Sequence, residues 1–300
     1  MDELISVRAL MAQKNPAAAA RIPGVGYRLL ERLARQREVN DYLLAARGLP
    51  PREALEAALR FLRISSVFTE GSERLLPETG RITMAANHPH GAADALILLD
   101  LLTRRYGQAV VPANDLVQVV TPLAPFFAPV NKHGSNKEQY RRIDALFAAE
   151  TPLLIFPAGR TGRQEKGGSQ IRDFPWTRTF IKKSRLHGRL ILPVHIHGRN
   201  SRLFYTVARL RSLLKIRVNL EMFLLVDELV KQRGSCFEAV IASPIDPAAL
   251  GRERSDAEWA TLVRKYVQAL GEGVRSDFFS WLAVSAPLTL FVEGAARDLD

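Results

Sequence analysis

The residues best suited to chemistry lie between Asn87 and Asp94, a segment that reads Asn-His-Pro-His-Gly-Ala-Ala-Asp. Histidine changes charge near neutral pH, so His88 can accept a substrate proton as a general base. Asp94, six positions later, can hold the imidazole in the productive tautomer and stabilise its protonated form. The chain has no Gly-x-Ser-x-Gly motif, and its single cysteine, Cys236, lies in a predicted strand. We therefore expect direct attack by a substrate hydroxyl, without a covalent enzyme intermediate.

The histidines also leave a metal site open as an alternative. His88 and His90 form one His-x-His pair, and His195 and His197 form another on a predicted strand, where alternate residues share a face. If the pairs converged, they could bind zinc, as in a metal-dependent hydrolase. Asp94, however, lies farther from His90 than in the His-x-His-x-Asp pattern of metallo-hydrolases. We prefer a site without metal, and His90 stays a second candidate for the base.

A second candidate region runs from Phe156 to Arg163 and reads Phe-Pro-Ala-Gly-Arg-Thr-Gly-Arg. Main-chain amides near Gly159 and the guanidinium groups of Arg160 and Arg163 suit an anionic group such as a phosphate. A further basic cluster surrounds Lys132. We expect these four residues to bind substrate, and the alternative interpretation is a solvated basic loop.

The elements that must position these residues alternate between strand and helix from residue 64 onward. This pattern predicts an α/β fold with a mainly parallel central sheet flanked by helices. Ligands of such sheets bind at the carboxyl ends of the strands, where both candidate regions lie. The predicted strands are 64–69, 81–86, 109–112, 152–156, 189–197, 217–226 and 236–242, and the predicted helices are 93–105, 136–149, 173–186, 201–214 and 256–270.

The first sixty or so residues predict an N-terminal helical cap, with helical spacing over 26–36 and from residue 51. In the first of these helices arginines interleave with apolar residues, as in helices that lie on anionic lipid. We divide the chain into a membrane-associating cap (1–63), an α/β domain (64–250) and a C-terminal helical extension (251–300).

Composition limits the partners and the compartment. The chain has 42 Lys and Arg residues against 31 Asp and Glu, and its net charge of +11 favours an anionic partner. The aromatic residues follow no nucleic-acid-binding signature, so we expect a membrane surface and not nucleic acid. One cysteine cannot form an internal disulfide, and the N-terminus has no secretory signal. The longest apolar stretches are about half the length of a membrane-spanning helix.

In their order along the chain, these motifs resemble those of the lysophospholipid acyltransferase superfamily, which includes bacterial 1-acyl-glycerol-3-phosphate acyltransferases. The likeness covers about residues 39–245. Asn87–Asp94 resembles the family's histidine–aspartate motif, Phe156–Gly159 its Phe-Pro-Glu-Gly motif, and Leu192–Val194 its late Val-Pro-Val strand. Lys132 lies near the position of the substrate-binding arginine of the second motif.

The resemblance implies an O-acyltransferase in which His88 deprotonates an acceptor hydroxyl and Asp94 orients His88. The hydroxyl would attack an acyl thioester, either acyl-CoA or acyl-ACP, as co-substrate, with no other cofactor and no metal. The substrate-binding residues would be Lys132, Gly159, Arg160 and Arg163, and the residues beside the base would be Asn87 and His90.

Two departures from the general motifs point to one branch of the family. Five residues separate His88 from Asp94, more than in the general motif, and Ala158 stands where the third motif has glutamate. Both features are similar to the hemolysin-like or ornithine-lipid-type branch. The acceptor is therefore expected to be a lysophospholipid or a lyso-aminolipid. The enzyme is expected at the cytoplasmic face of the inner membrane, as a peripheral or monotopic protein. A catalytically inactive membrane-binding protein of the same fold is the non-enzyme alternative.

Overall fold

The computed structural model describes residues 4–14, 16–130, 136–164, 171–213 and 220–285. The helices in this part of the chain are α1 (Val7–Lys14), α2 (Pro16–Ala19), α3 (Gly24–Leu33), α4 (Gln36–Ala45), α5 (Pro51–Leu62), α6 (Ala92–Tyr106), α7 (Asn136–Ala148), α8 (Thr179–His187), α9 (Arg202–Leu213), α10 (Leu220–Lys231), α11 (Asp256–Gly271) and α12 (Phe278–Ser285). The strands are β1 (Ser65–Phe68), β2 (Ile82–Ala86), β3 (Val111–Ala113), β4 (Phe127–Pro129), β5 (Leu153–Ile155), β6 (Arg163–Gln164), β7 (Ile171–Arg172), β8 (Leu190–Ile196) and β9 (Cys236–Ile241).

The central sheet has five strands in the order β1-β9-β8-β2-β5. Strand β1 is parallel to β9, and β2 is parallel to both β8 and β5, whereas β8 and β9 are antiparallel. The prediction of an α/β fold with a mainly parallel sheet is therefore confirmed. Because β2, β5 and β8 are parallel, the segments that follow Ala86, Ile155 and Ile196 meet at one edge of the sheet.

Helices cover both faces of the sheet. On one face α5 and α6 pack against β2, with Leu55, Met84 and Leu98 fully buried. On the other face α8 and α11 pack through side chains that include Phe180 and Val263. Strand β2 is buried along its whole length, which is why its sequence lacks the alternation of a half-exposed strand. This buried strand holds the residues that follow it at a fixed place on the sheet edge.

The predicted N-terminal helical cap is present, since α1 to α5 precede the first strand. The single helix predicted over 26–36 is divided between α3 and α4. Arg35 separates the two helices and has a φ of 48°, in the left-handed region. Its Nε donates to Oδ1 of Asp227 at 2.7 Å, so the break joins the cap to α10. The domain boundaries after residues 63 and 250 stay a prediction.

The strand predicted over 217–226 is wrong. Within the described residues, its part from Leu220 onward belongs to helix α10, and 214–219 lie outside them. The buried residues Leu224 and Glu228 are spaced as on one face of a helix, and this spacing continues beyond the apolar run that suggested a strand. A short apolar run therefore did not distinguish a strand from a buried helix.

Two other predicted elements differ from the observed ones in their bounds or pairing. The helix predicted over 173–186 begins only at Thr179, because Pro175 disfavours helical backbone at the residue before it. The region predicted as a strand over 109–112 contributes β3, which pairs with β4, while Val110 forms a single parallel bridge to Leu153 of β5. Within the described ranges, no helix is both long and apolar enough to cross a membrane.

Candidate active site

His88 lies directly after β2, at the carboxyl edge of the central sheet. Its ring Nδ1 is 3.0 Å from Oδ2 of Asp94, in the first turn of α6. The His88 side chain has 17% of its surface exposed, and that of Asp94 has none. Because Nδ1 faces the carboxylate, Nε2 is the ring nitrogen that is placed to receive a substrate proton.

Asp94 is held by main-chain groups of the turn that it faces. Its Oδ2 accepts hydrogen bonds from the N–H groups of His90 at 2.9 Å and Gly91 at 3.0 Å. Gly91 has a φ of 89°, which lets the turn close around the carboxylate. The contact with His88 has the distance of an ion pair but not the angle of an aligned hydrogen bond. Catalytic hydrogen bonds often align only when substrate binds, so this geometry suits a base and its orienting carboxylate.

Further contacts fix the main chain and the ring of His88. Its N–H donates to Oδ1 of Asp173 at 3.1 Å, and its carbonyl accepts a hydrogen bond from the N–H of Gly162 at 2.8 Å. The imidazole stacks on Phe156, with 3.9 Å between the ring centroids. The bond to Gly162 brings the loop that follows β5 against the histidine, so the two candidate regions of the sequence form one site.

Asp173 is a residue of this site that sequence reasoning missed. Its Oδ2 accepts a hydrogen bond from Nε1 of Trp176 at 3.0 Å, and its carbonyl accepts one from Arg264 at 3.1 Å. Burial raises the pKa of Asp173, while the hydrogen bonds from Trp176 and His88 oppose that shift. Since no spacing rule relates position 173 to position 88, a single sequence holds no signal that identifies it.

Asn87 extends the pairing of β2 with β8 through its side chain. Its Nδ2 donates to the carbonyl of Ile196 at 2.9 Å, and its Oδ1 accepts a hydrogen bond from the N–H of Ile196 at 2.6 Å. The amide therefore satisfies main-chain groups of β8 at the point where β2 ends. This attaches the turn that contains His88 to the neighbouring strand.

His90 is buried, and both of its ring nitrogens have partners. Nε2 lies 3.0 Å from the carbonyl oxygen of His197, and Nδ1 lies 3.4 Å from Nε2 of Gln232. Gly198 permits this close approach, since an added Cβ there would lie 2.3 Å from Nε2 of His90. These contacts occupy the ring nitrogens that a base needs, so the geometry favours His88 over His90 as the base.

The loop after β5 carries three of the four predicted substrate-binding residues. Gly159 has a φ of 65°, and its N–H donates to the carbonyl three residues earlier at 2.8 Å, which closes a turn. The guanidinium groups of Arg160 and Arg163 lie 4.2 Å and 5.8 Å from the ring centroid of Phe174. Arg163 also lies 5.0 Å from the ring centroid of Phe204, so cation–π contacts with two rings hold the arginines beside the site. The fourth predicted residue, Lys132, lies outside the described residues.

The two His-x-His pairs do not converge on one point. His90 contacts the main chain of His197, whereas His195 faces α11, where an added Cβ at Gly271 would lie 2.3 Å from its Nε2. Burial, with a smaller effect of His197, lowers the pKa of His195 to about 4, so its ring is neutral at pH 7. Among the residues that the structure describes, no three His, Cys, Asp or Glu side chains form a metal-binding group.

The family model and the curated relatives agree on the kind of enzyme that the chain resembles. A family model described as Acyltransferase matches residues 9–276. The lyso-glycine lipid O-acyltransferase of Phocaeicola vulgatus is 33% identical over 269 residues, which cover 89% of this chain and 95% of that protein. The lyso-glycine lipid O-acyltransferase of Bacteroides thetaiotaomicron is 34% identical over 269 residues, with coverage of 89% and 97%. Among solved structures, the 1-acyl-sn-glycerophosphate (LPA) acyltransferase PlsC of Thermotoga maritima covers 90% of this chain and 100% of its own, with 15% identity and a TM-score of 0.45.

Proposed function

The chain belongs to the acyltransferase family, and we propose that it transfers a fatty acyl group from an acyl thioester to the hydroxyl of a lyso-aminolipid. It is an acyltransferase of the lysophospholipid acyltransferase superfamily, and it acts on lysolipids. The contact of His88 with Asp94, at 3.0 Å on the carboxyl edge of the sheet, carries the proposal for the chemistry. The names of its two bacterial relatives support a lyso-glycine lipid as the acceptor.

In this proposal Nε2 of His88 removes the proton from the acceptor hydroxyl as the oxygen attacks the thioester carbonyl. The carbon–oxygen ester bond forms, the carbon–sulfur bond breaks, and the thiolate leaves. Asp94 stabilises the imidazolium that exists between these two events, and the imidazolium then returns its proton to the thiolate. General-base catalysis of this kind contributes roughly 10²–10⁴-fold to the rate.

The donor is proposed to be acyl-CoA or acyl-ACP, both of which carry phosphate groups. Arg160 and Arg163 suit this partner, because guanidinium groups bind phosphate oxygens through two parallel hydrogen bonds. Their shared contact with Phe174 supports the assignment, since a side chain that is already ordered loses less entropy when it binds. Lys132 is proposed to assist them.

We further propose that the enzyme rests on the cytoplasmic face of the inner membrane through its helical cap. Helix α3 exposes Val25 by 67% and Leu29 by 57%, and Arg28 and Arg32 are exposed on the same helix. Leucine and valine can enter the headgroup region while the arginines meet anionic lipid. The net charge of +11 supports the same partner.

The alternatives have less support. A metal-dependent hydrolase lacks a set of ligands within the described residues. A membrane-binding protein without activity would have no use for His88 and Asp94 in contact, with the carboxylate completely buried. Lysophosphatidate and lyso-ornithine lipid are acceptors that must be compared directly with lyso-glycine lipid.

The proposal is tested by acyl transfer with the purified full chain. We expect the highest kcat/KM with lyso-glycine lipid among these three acceptors, with acyl-CoA or acyl-ACP as donor. His88→Ala should lower kcat by about 10²–10⁴-fold with an unchanged Tm. No transfer to any of the acceptors, or full activity of His88→Ala, would contradict the proposal.

His187→Ala provides a matched control. Its side chain is also 17% exposed, and its Nε2 also lies 3.0 Å from an aspartate oxygen, Oδ1 of Asp144. This pair lies between α7 and α8, away from the carboxyl edge, so we expect its loss to leave kcat unchanged. An equal loss of activity in both variants would attribute the effect to folding.

A further inference from the structure

A cavity of about 330 Å³ opens between the carboxyl end of β8 and helix α11. Asn87 and Pro89, the residues on either side of His88, both line it. Arg160 and Arg163 do not, and they lie against Phe174 instead. The cavity is therefore next to the catalytic turn and separate from the arginines that we assign to the donor.

Two guanidinium groups and one free amide give this cavity its chemistry. Arg199, which follows β8, is exposed, and Arg264 and Gln268 come from successive turns of α11. Arg264 donates to the carbonyl of Asp173, while its Nε is buried and meets no acceptor among the described residues. Arg264 is thus held in place, and it has no carboxylate partner among the described residues.

Two carboxylates and one histidine line the same cavity. Both carboxylate oxygens of Asp173 already accept hydrogen bonds, from His88 and Trp176. His195 is neutral at pH 7, because burial lowers its pKa to about 4. Glu272, at the end of α11, is exposed to solvent. The cavity therefore presents two arginines and two carboxylates, and among the described residues neither carboxylate side chain is paired with Arg199 or Arg264.

We infer that this cavity binds the carboxylate of the acceptor's amino-acid headgroup, between Arg199 and Arg264. An amino acid that carries its acyl chain on nitrogen keeps a free carboxylate, and guanidinium groups bind carboxylates in a fork geometry. A headgroup held here contacts Asn87 and Pro89, which flank His88 in the chain, while in the proposed function the donor binds Arg160 and Arg163. The inference rests on the proposed function, and it adds the residues that select an acidic lyso-aminolipid.

The test is direct binding of N-octanoylglycine and N-octanoylglycinamide to the full chain by calorimetry. The two probes differ only in the charged carboxylate. We expect the wild-type protein to bind the acid about tenfold more tightly than the amide. Arg199→Gln should remove most of this preference. Arg252→Gln, which changes an exposed arginine before α11 that does not line the cavity, should keep it.

Equal binding of the two probes by the wild-type protein would overturn the inference, as would a preference that Arg199→Gln retains. If Arg160→Gln lost the preference for the acid over the amide, the carboxylate would be assigned to the donor arginines, and the inference would be overturned as well. Because binding is measured without acyl transfer, the two proposals fail separately. If the protein acylates lyso-glycine lipid but binds both probes equally, the proposed function is supported and the cavity assignment is overturned. If it prefers the acid but transfers no acyl group, only the cavity assignment is supported.

In the assay of acyl transfer, Arg199→Gln should raise the KM for lyso-glycine lipid by about tenfold and leave the KM for the donor unchanged. A loss that appeared only in kcat, with both KM values unchanged, would show that Arg199 does not bind the acceptor.

Discussion

Asp94 combines three contacts on one oxygen, Oδ2: two main-chain N–H groups and the ring of His88. Its other oxygen, Oδ1, is buried and has no hydrogen-bond partner among the described residues. A fully buried carboxylate is costly unless it is paired. The two N–H groups stabilise the carboxylate of Asp94, and an ion pair forms when His88 gains a proton. At the scale of single residues, this feature supports the proposal that His88 acts as a base.

Replacement of Asp94 by asparagine tests this role. The amide fits the same space but cannot stabilise an imidazolium, so kcat should fall by roughly 10²–10⁴-fold while the KM for both substrates changes little. The measurement is steady-state kinetics, with circular dichroism melting to confirm folding. Asp144→Asn, which disrupts the pairs with His187 and Lys183, is the control that should retain kcat. A kcat of Asp94→Asn close to that of the wild type would contradict the assignment.

At the scale of elements, α10 connects the helical cap with the catalytic turn. Asp227 on this helix accepts a hydrogen bond from Arg35 at 2.7 Å. Leu225 on α10 limits the space at Gly91, where an added Cβ would lie 3.0 Å from Cδ2 of the leucine. Gln232, which directly follows α10, approaches the ring of His90. One helix therefore contacts both the region that we propose to meet the membrane and the turn that contains His88.

The packing of α11 on β8 gives a prediction about stability at low pH. His195 has a pKa of about 4 in the folded protein and about 6.5 when unfolded, because burial against α11 disfavours its charged form. Between these values the unfolded chain binds more protons, so the free energy of unfolding should fall as the pH decreases from 6.5 through 4. The loss is on the order of 3 kcal/mol.

Urea unfolding at pH 7, 5.5 and 4 measures this loss. His195→Leu, which has no titratable ring, should show a pH dependence that is smaller by this amount. An unchanged pH dependence in His195→Leu would contradict the assignment of the acid sensitivity to His195.

For the whole molecule, the positive charge and the exposed apolar residues of the cap predict binding to anionic vesicles. Leu29→Glu should reduce cosedimentation with phosphatidylglycerol vesicles by about tenfold, and added salt should weaken the binding of the wild type. Leu186→Glu is the matched control, because Leu186 is 62% exposed against 57% for Leu29 but lies on α8, at the opposite face of the sheet. Equal losses in both variants, or binding that is indifferent to salt and to anionic lipid, would contradict a lipid-facing cap.

Local order along the chain was sufficient to predict the central part of the site. His88 and Asp94 are six residues apart across a turn and the first turn of a helix, so the chain itself brings them together. The alternation of strands and helices likewise predicted a mainly parallel sheet and the meeting of two loops at its carboxyl edge. These features depend on periodicity and on short connections, which a single sequence shows directly.

Only the tertiary structure decided the features that depend on distant residues. The bond from His88 to Asp173 spans 85 positions, and the pairing of Asn87 with Ile196 spans 109. The burial of His90 against the main chain of His197 also arises only when β2 and β8 lie side by side. Such contacts are set by how the layers pack and not by local propensity, which is also why α10 was predicted as a strand. The sequence alone thus predicted which turn could be catalytic, and the packing decided that the ring nitrogens of His90 have partners from the residues that directly follow β8 and α10.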